Sequence, residues 1–206
     1  MTKMKKNIKI ISYFLLSFLF LIVLFSYFYN QSIKSNLNHL ESDVNNKWSE
    51  YFSSSTDRMK SISSLIDSQK HNIPNKDEIY QSLEKNLKNR DRYKHECNLN
   101  FVILEYDLNK KIMDSFDSTN TSNEKCLFCN KIINTSNGQL NVLIEDYNKS
   151  VLYYNKYISI FPNFIIAKRN GFKKKKYFSI KYGINNDDPI IKSKELPKWA
   201  IGVDAL

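Results

Sequence analysis

Glycine and proline are scarce, with four of each in 206 residues. That scarcity excludes an all-β domain built on tight turns, and equally a Pro/Gly-rich disordered chain. There is no GxGxxG, no phosphate loop, no HExxH and no GxSxG, so a nucleotide-binding or hydrolase reading has no motif to start from. Cysteine is limited to Cys97, Cys126 and Cys129. An odd count without a regular framework argues against a fold held by disulfides. Acid is missing altogether from residues 163–181, which carry Lys168, Arg169, Lys173, Lys174, Lys175, Lys176 and Lys181. Outside that stretch and the four N-terminal lysines, 20 basic residues face 21 acidic ones, although the whole chain is formally +10. A near-neutral domain with one basic patch differs from a nucleic-acid binder that is basic along a face, and no nucleic-acid partner is expected.

What is present begins with Ile10–Tyr29, twenty uncharged residues rich in Leu, Phe and Ile. A helix of about that length crosses a ~30 Å hydrocarbon core. Tyr13, Tyr27 and Tyr29 lie near its ends, where amphipathic rings favour the interface. A cleaved signal peptide is the alternative, but the exit reads SYFYNQS, bulky and aromatic, without a small-residue cleavage site. Lys3, Lys5, Lys6 and Lys9 precede the segment and Lys34 alone follows closely. The positive-inside bias therefore predicts a cytoplasmic N-terminus, an uncleaved single-pass anchor and an exported domain.

Beyond the span, Ile33, Leu37, Leu40, Val44, Trp48, Phe52, Ser55, Met59, Ile62 and Ile66 alternate steps of three and four. No Gly or Pro interrupts them, which predicts one helix continuing from the membrane to about Gln69. Asn72-Ile73-Pro74-Asn75 breaks it, and Pro74, Asp77 and Glu78 fit a new start. The stripe Ile79, Leu83, Leu87, Arg90, Lys94, Cys97, Phe101, Leu104, Leu108, Ile112 and Phe116 predicts a second long helix over residues 74–116. In it Arg90 and Lys94 lay their stems on apolar surface with their charges at the edge. Residues 117–138 are rich in turn residues and read as a long connection, with a short helix over Cys126–Ile133. A third helix is expected from Gly138 or Gln139, with Leu140, Leu143, Ile144, Tyr147, Val151, Tyr154 and Ile158 on its core face. It stops at Phe161-Pro162, since a residue before proline is pushed out of the α region. The fold class is all-α: an antiparallel bundle of long helices with one N-terminal transmembrane helix. The expected divisions are residues 1–9 (cytoplasmic), 10–29 (anchor), 30–182 (bundle) and 183–206 (irregular tail).

Several residues invite a functional reading. Asn148 and Asn155 are seven apart and share a helix face, either exposed or hydrogen-bonded to a neighbouring helix. Lys173–Lys176, with Phe172 before them and Tyr177-Phe178 after, suit anionic headgroups, the aromatics inserting at the interface. The plainer reading is a solvated basic segment whose aromatics pack on the bundle. Cys126-x-x-Cys129 leaves a disulfide, a redox pair or half of a metal site open, with His95 and Cys97 to complete it. Residues two apart on a helix point to different sides, however, and no catalytic, cofactor or metal ligand is assigned.

The run Tyr147-Asn148, Val151, Tyr154-Asn155, Ile158, Phe161-Pro162, then Ile166-Ala167, Gly171-Phe172 and Tyr177-Phe178 resembles the LemA family of bacterial membrane proteins. Asn46, Trp48 and Arg58 in the first helix, and the anchor itself, resemble it more faintly. The family's Leu-Ile-Pro-Asn-Leu stands here as Ser61-Ile62-Ser63-Ser64-Leu65, without its proline. The resemblance implies a tethered antiparallel bundle linked to the cell envelope, and no catalytic residues. Two functions follow: a membrane-anchored scaffold or interaction protein with envelope protein partners, or an extracytoplasmic sensor that binds a small ligand. A sensor of this length, closing at Leu206 without a second span, would pass its signal through a partner.

Overall fold

A computed structural model describes residues 2–68, 76–117 and 124–191. It contains α1 (Thr2–Ser68), α2 (Lys76–Arg90), α3 (Leu99–Asp117), α4 (Glu124–Ser159) and α5 (Asn163–Asn170), with a single 3-10 turn at Asp91–Tyr93. Among the described residues there is no strand. The break expected at Asn72–Asn75, Cys126's side chain and Trp199 lie outside what is described. The chain falls into two compact units: the residues up to His39 with Tyr157–Lys173, and Leu40–Lys156 with the chain from Lys174 onward.

The first helix is the one the periodicity predicts. Among its stripe residues, Ile33, Leu37, Val44, Trp48, Met59, Ile62 and Ile66 are buried. Before them the side chains from Tyr13 to Tyr29 are exposed, Phe14 at 74% and Phe25 at 72%. That stretch is long and apolar enough to cross a membrane. Apolar surface on this scale left outside a core marks contact with lipid or with other protein.

The second helix departs from expectation. Instead of one helix over residues 74–116, α2 ends at Arg90 and the chain turns back through Lys94–Asn98 into α3. One local bond and one tertiary bond hold it. Asn98 caps α3, its Oδ1 accepting the Phe101 N–H at 3.0 Å. Trp48 donates its indole N–H to the Tyr93 carbonyl at 3.1 Å, so the core helix holds the turn. Arg90 does not lie at an edge either: it is 2% exposed. The third helix is corrected as well. It begins at Glu124, so most of the expected connection is helix and Gly138 sits inside it. It ends at Ser159 before a cis Phe161–Pro162 bond, and the short apolar run beyond forms α5.

Within the larger unit, α1 and α4 are antiparallel: Arg58 meets Asn137, and the Trp48 ring meets Tyr147 at 5.2 Å. The core has two ends. Trp48, Tyr51, Phe52, Phe101 and Phe178 pack in tilted and edge-to-face contacts at centroid distances of 4.9–6.3 Å. About two to four turns further along α1, Met59, Ile62 and Ile66 join Ile79, Leu83, Leu108, Ile112, Cys129 and Ile133 in an aliphatic cluster. Between them lies a belt of buried polar residues.

Candidate functional site

Residues 174–184 form a strap along α4. Phe178, Ile180 and Tyr182 are buried while Tyr177, Ser179 and Lys181 are exposed, the period of two that marks an extended backbone. Its polar groups are met by side-chain amides in place of a neighbouring strand. Asn155 donates to the Lys175 carbonyl and accepts the Lys175 N–H, both at 2.8 Å. Asn148 does the same for Phe178 at 2.8 and 2.9 Å. Asn141 does the same for Tyr182 at 3.0 and 2.8 Å. The spacing is physical: seven helical residues rise about 10.5 Å, and three to four extended residues cover about 10–13 Å. Asn109 on α3 accepts the Gly183 N–H at 3.2 Å, and Tyr147 donates its hydroxyl to the Lys176 carbonyl at 2.7 Å.

The strap delivers Tyr182 into the polar belt. Its hydroxyl donates to Glu105 and shares a 2.7 Å hydrogen bond with the Tyr51 hydroxyl. Glu105, 1% exposed, is ion-paired with Arg90. Arg90 also donates to Ser55, to Thr56 Oγ1 at 2.7 Å, to Asn86 Oδ1 at 3.2 Å and to the Phe52 carbonyl at 3.3 Å. The Phe52 ring lies 4.5 Å from its guanidinium carbon. Burial, followed by charge on neighbouring groups, pushes the Tyr51 and Tyr182 hydroxyls well above the usual tyrosine range.

Arg58 completes the belt differently. It is 4% exposed, its guanidinium carbon lies 4.6 Å from the Tyr182 ring centroid, and it donates to Asn137 Oδ1 at 2.7 Å. Its Nε and Nη1 are buried without a hydrogen-bond partner. Burial lowers its pKa from the usual arginine value. It lines a groove of about 540 Å³ between α1 and α4, together with Ser54, Asp57, Ser61, Ser136 and Gln139.

The residues singled out from sequence fall into three groups. Tyr147, Val151, Tyr154 and Ile158 are core, and Ala167 is buried in the smaller unit. Asn148 and Asn155 do make structural hydrogen bonds, but to the strap and not to a neighbouring helix. A helix would keep its own backbone groups paired, whereas a strap offers them. Gly171 ends α5 at φ 79°, a left-handed cap, and the Phe172 N–H closes onto the Ala167 carbonyl at 3.0 Å. Phe161 is 77% exposed, its ring 6.3 Å from that of Phe164, and Pro162 sits at the entry to α5.

The lysine block is not one surface. Lys173 and Lys174 are exposed, Lys176 is half-buried and Lys175 pairs with Glu41 at 2.6 Å. Phe178, expected at a lipid or partner surface, is 2% exposed in the aromatic core, while Tyr177 is 41% exposed. The alternation of the strap separates these neighbours. Cys97 is buried with its thiol 3.8 Å from the Tyr177 carbonyl, and burial pushes the thiol up to about 12. Among the described residues, no three of His, Cys, Asp and Glu gather as a metal site would need.

Sequence reading missed Glu105, Tyr182, Tyr51, Asn137, Asn109 and Asn141. Asn141 carried a signal, being one heptad before Asn148. Glu105 did as well, as an acid four residues after Phe101, on that helix's core side. A model of the LemA family matches residues 121–192, from just before α4 through α5 and the strap. The fainter resemblance at Asn46, Trp48 and Arg58 lies outside that stretch. No curated protein and no solved structure matches the chain. The amide ladder, the helix stop and the strap all lie within residues 121–192, and over that stretch the chain is similar to the LemA family.

Proposed function

We propose that the protein is a single-pass component of the bacterial cell envelope whose bundle serves as an interaction scaffold without catalysis of its own. The observation that carries this reading is α1. One helix supplies both the exposed apolar span and a core face of the larger unit. Four lysines before the span favour a cytoplasmic N-terminus and an exported bundle. On α4, Val142, Leu152 and Tyr153 stand exposed at 52–64% and offer apolar contact to an envelope partner. A photo-crosslinking residue at Tyr153, activated in intact membranes, is expected to give discrete protein adducts. Irradiation that yields unmodified chain alone would remove the scaffold. Protease access to a C-terminal tag in intact cells tests the orientation: a tag shielded by the membrane would reverse it.

A second reading, a sensor of small carboxylates, is favoured by Arg58. A buried guanidinium with two unpaired nitrogens beside a groove suits a planar oxyanion, and Asp57 on the same lining has its charge met by Lys60 at 3.3 Å. Sodium succinate should then raise Tm saturably over sodium chloride at equal ionic strength. Equal Tm values in the two salts would sink the sensor.

A further inference from the structure

We propose that α5 and the turn before it rest on the membrane surface, with Ile160, Phe161, Phe164 and Ile165 in the headgroup layer and Lys168 and Arg169 against anionic lipid. This rests on the span at Ile10–Tyr29 crossing the bilayer. All of these residues belong to the smaller unit, which also contains the span. Asn36 donates to the Tyr157 hydroxyl at 3.1 Å, so the end of α4 lies level with residue 36 of α1. Seven residues separate Asn36 from Tyr29, which places that level about 10 Å above the hydrocarbon edge. Running antiparallel to α1, α4 descends about 3 Å more from Tyr157 to its end at Ser159. The headgroup layer is about 5–8 Å deep on each side of the core. Ile160 and the residues after it therefore enter it. Ile33, one turn past Tyr29, is already 4% exposed, so protein covers α1 down to this depth. Tyr157–Lys173 is the segment that shares the compact unit with it.

The surface has the chemistry of that layer. Phe161 is 77% exposed, and Ile160, Phe164 and Ile165 are 48–49% exposed. Asn163, Ile166 and Ala167 are the buried side of α5. Phe164 and Lys168, and Ile165 and Arg169, are pairs four apart, so the outward face is apolar at its start and basic at its end. Lys173 extends the basic edge, and no acid occurs between Ile160 and Lys181. An amphipathic helix of this pattern beside a bilayer buries its apolar side at the acyl boundary and sets its cations on the phosphates. A protein partner would have to reach the same face through the headgroups.

The test uses the full chain in phosphatidylcholine vesicles, with and without phosphatidylglycerol, made with lipids brominated near the headgroup. A Phe164→Trp variant adds one indole, read as the difference from wild type. Val142→Trp on α4 serves as the control, and alkaline carbonate extraction reports separately that the anchor holds. The indole at 164 is expected to be blue-shifted and quenched, more strongly with phosphatidylglycerol, and the indole at 142 not quenched. Replacing Lys168 or Arg169 by Gln should weaken the surface contact about fivefold each. Solvent-like, unquenched emission at 164 in a chain that resists extraction would overturn the proposal. A blue shift without quenching marks a second protein copy and also overturns it. Equal quenching in the two lipids would overturn the role of the cations.

Discussion

Arg58 and Arg90 are both buried in the same polar belt, at 4% and 2% exposure, yet their surroundings differ in kind. Arg90 spends its donors on Glu105, Asn86, Thr56, Ser55 and the Phe52 carbonyl. Arg58 has Asn137 and a ring face, with two nitrogens unsatisfied. A guanidinium whose hydrogen bonds are all made fixes neighbours in place. One left incomplete beside a groove stores the capacity to bind. The first therefore belongs to architecture and the second to the candidate site, although the sequence spells both as a basic residue on a helix.

The largest effect should come from breaking the complete side. Glu105→Ala strands the Arg90 charge and frees the Tyr182 hydroxyl, with an expected loss of about 3–5 kcal/mol in chemical denaturation. The paired change Arg90→Met with Glu105→Leu should cost less than that single change, since no buried charge is left alone. A paired variant as unstable as Glu105→Ala would mean that the belt holds the fold by its shape and not by charge matching.

The strap ranks next. Asn148→Leu removes two hydrogen bonds and leaves the N–H and carbonyl of Phe178 unmatched on α4, which should cost about 2–4 kcal/mol. Hydrogen exchange at Phe178 and Tyr182 should accelerate in this variant. A strap still protected would show that Phe178 and Tyr182 hold it through their rings.

Alkali attacks the same end of the molecule. Burial is the first cause that raises the Tyr51, Tyr147 and Tyr182 hydroxyls. Because the folded values lie above the unfolded one, near ~10, their contribution is fully present below that pH. It then falls by up to about 1.4 kcal/mol per pH unit for each tyrosine as pH rises towards the folded values. Denaturation followed between pH 9 and 12 checks the slope, and a flat profile would contradict the burial of these hydroxyls. Arg58→Met should be mild by comparison, within about 1 kcal/mol, because a single protein hydrogen bond is lost. The same variant should abolish any succinate-dependent rise in Tm.

The legible parts of this fold are those where period alone decides. Ile33 to Ile66 form one stripe with no competing signal, so α1 could be read directly. Tyr147, Val151, Tyr154 and Ile158 were legible as core for the same reason. The turn at Lys94–Asn98 was not, because a stripe can be drawn through Arg90 and Lys94 as easily as broken there. What decides is tertiary, the Trp48 indole on the Tyr93 carbonyl. Strap and belt were hidden for a related reason. The apolar alternation of Phe178, Ile180 and Tyr182 is short and interleaved with lysine. The pairing of Glu105 with Arg90 depends on the very turn that was missed.

Gly138 gives the smallest effect and the finest contrast, because it follows Asn137, the residue that holds Arg58. The turn-rich stretch around it suggested a helix start, but it lies in the interior of α4. A Cβ added there meets nothing within 4 Å. Gly138→Ala should therefore raise stability by about 0.5–1 kcal/mol, the ordinary helix-interior difference. The gain should leave the Arg58 groove unchanged, so the response to succinate should match wild type. A gain in stability accompanied by a weaker response would instead mean that flexibility of α4 at this point is part of how the groove admits its ligand.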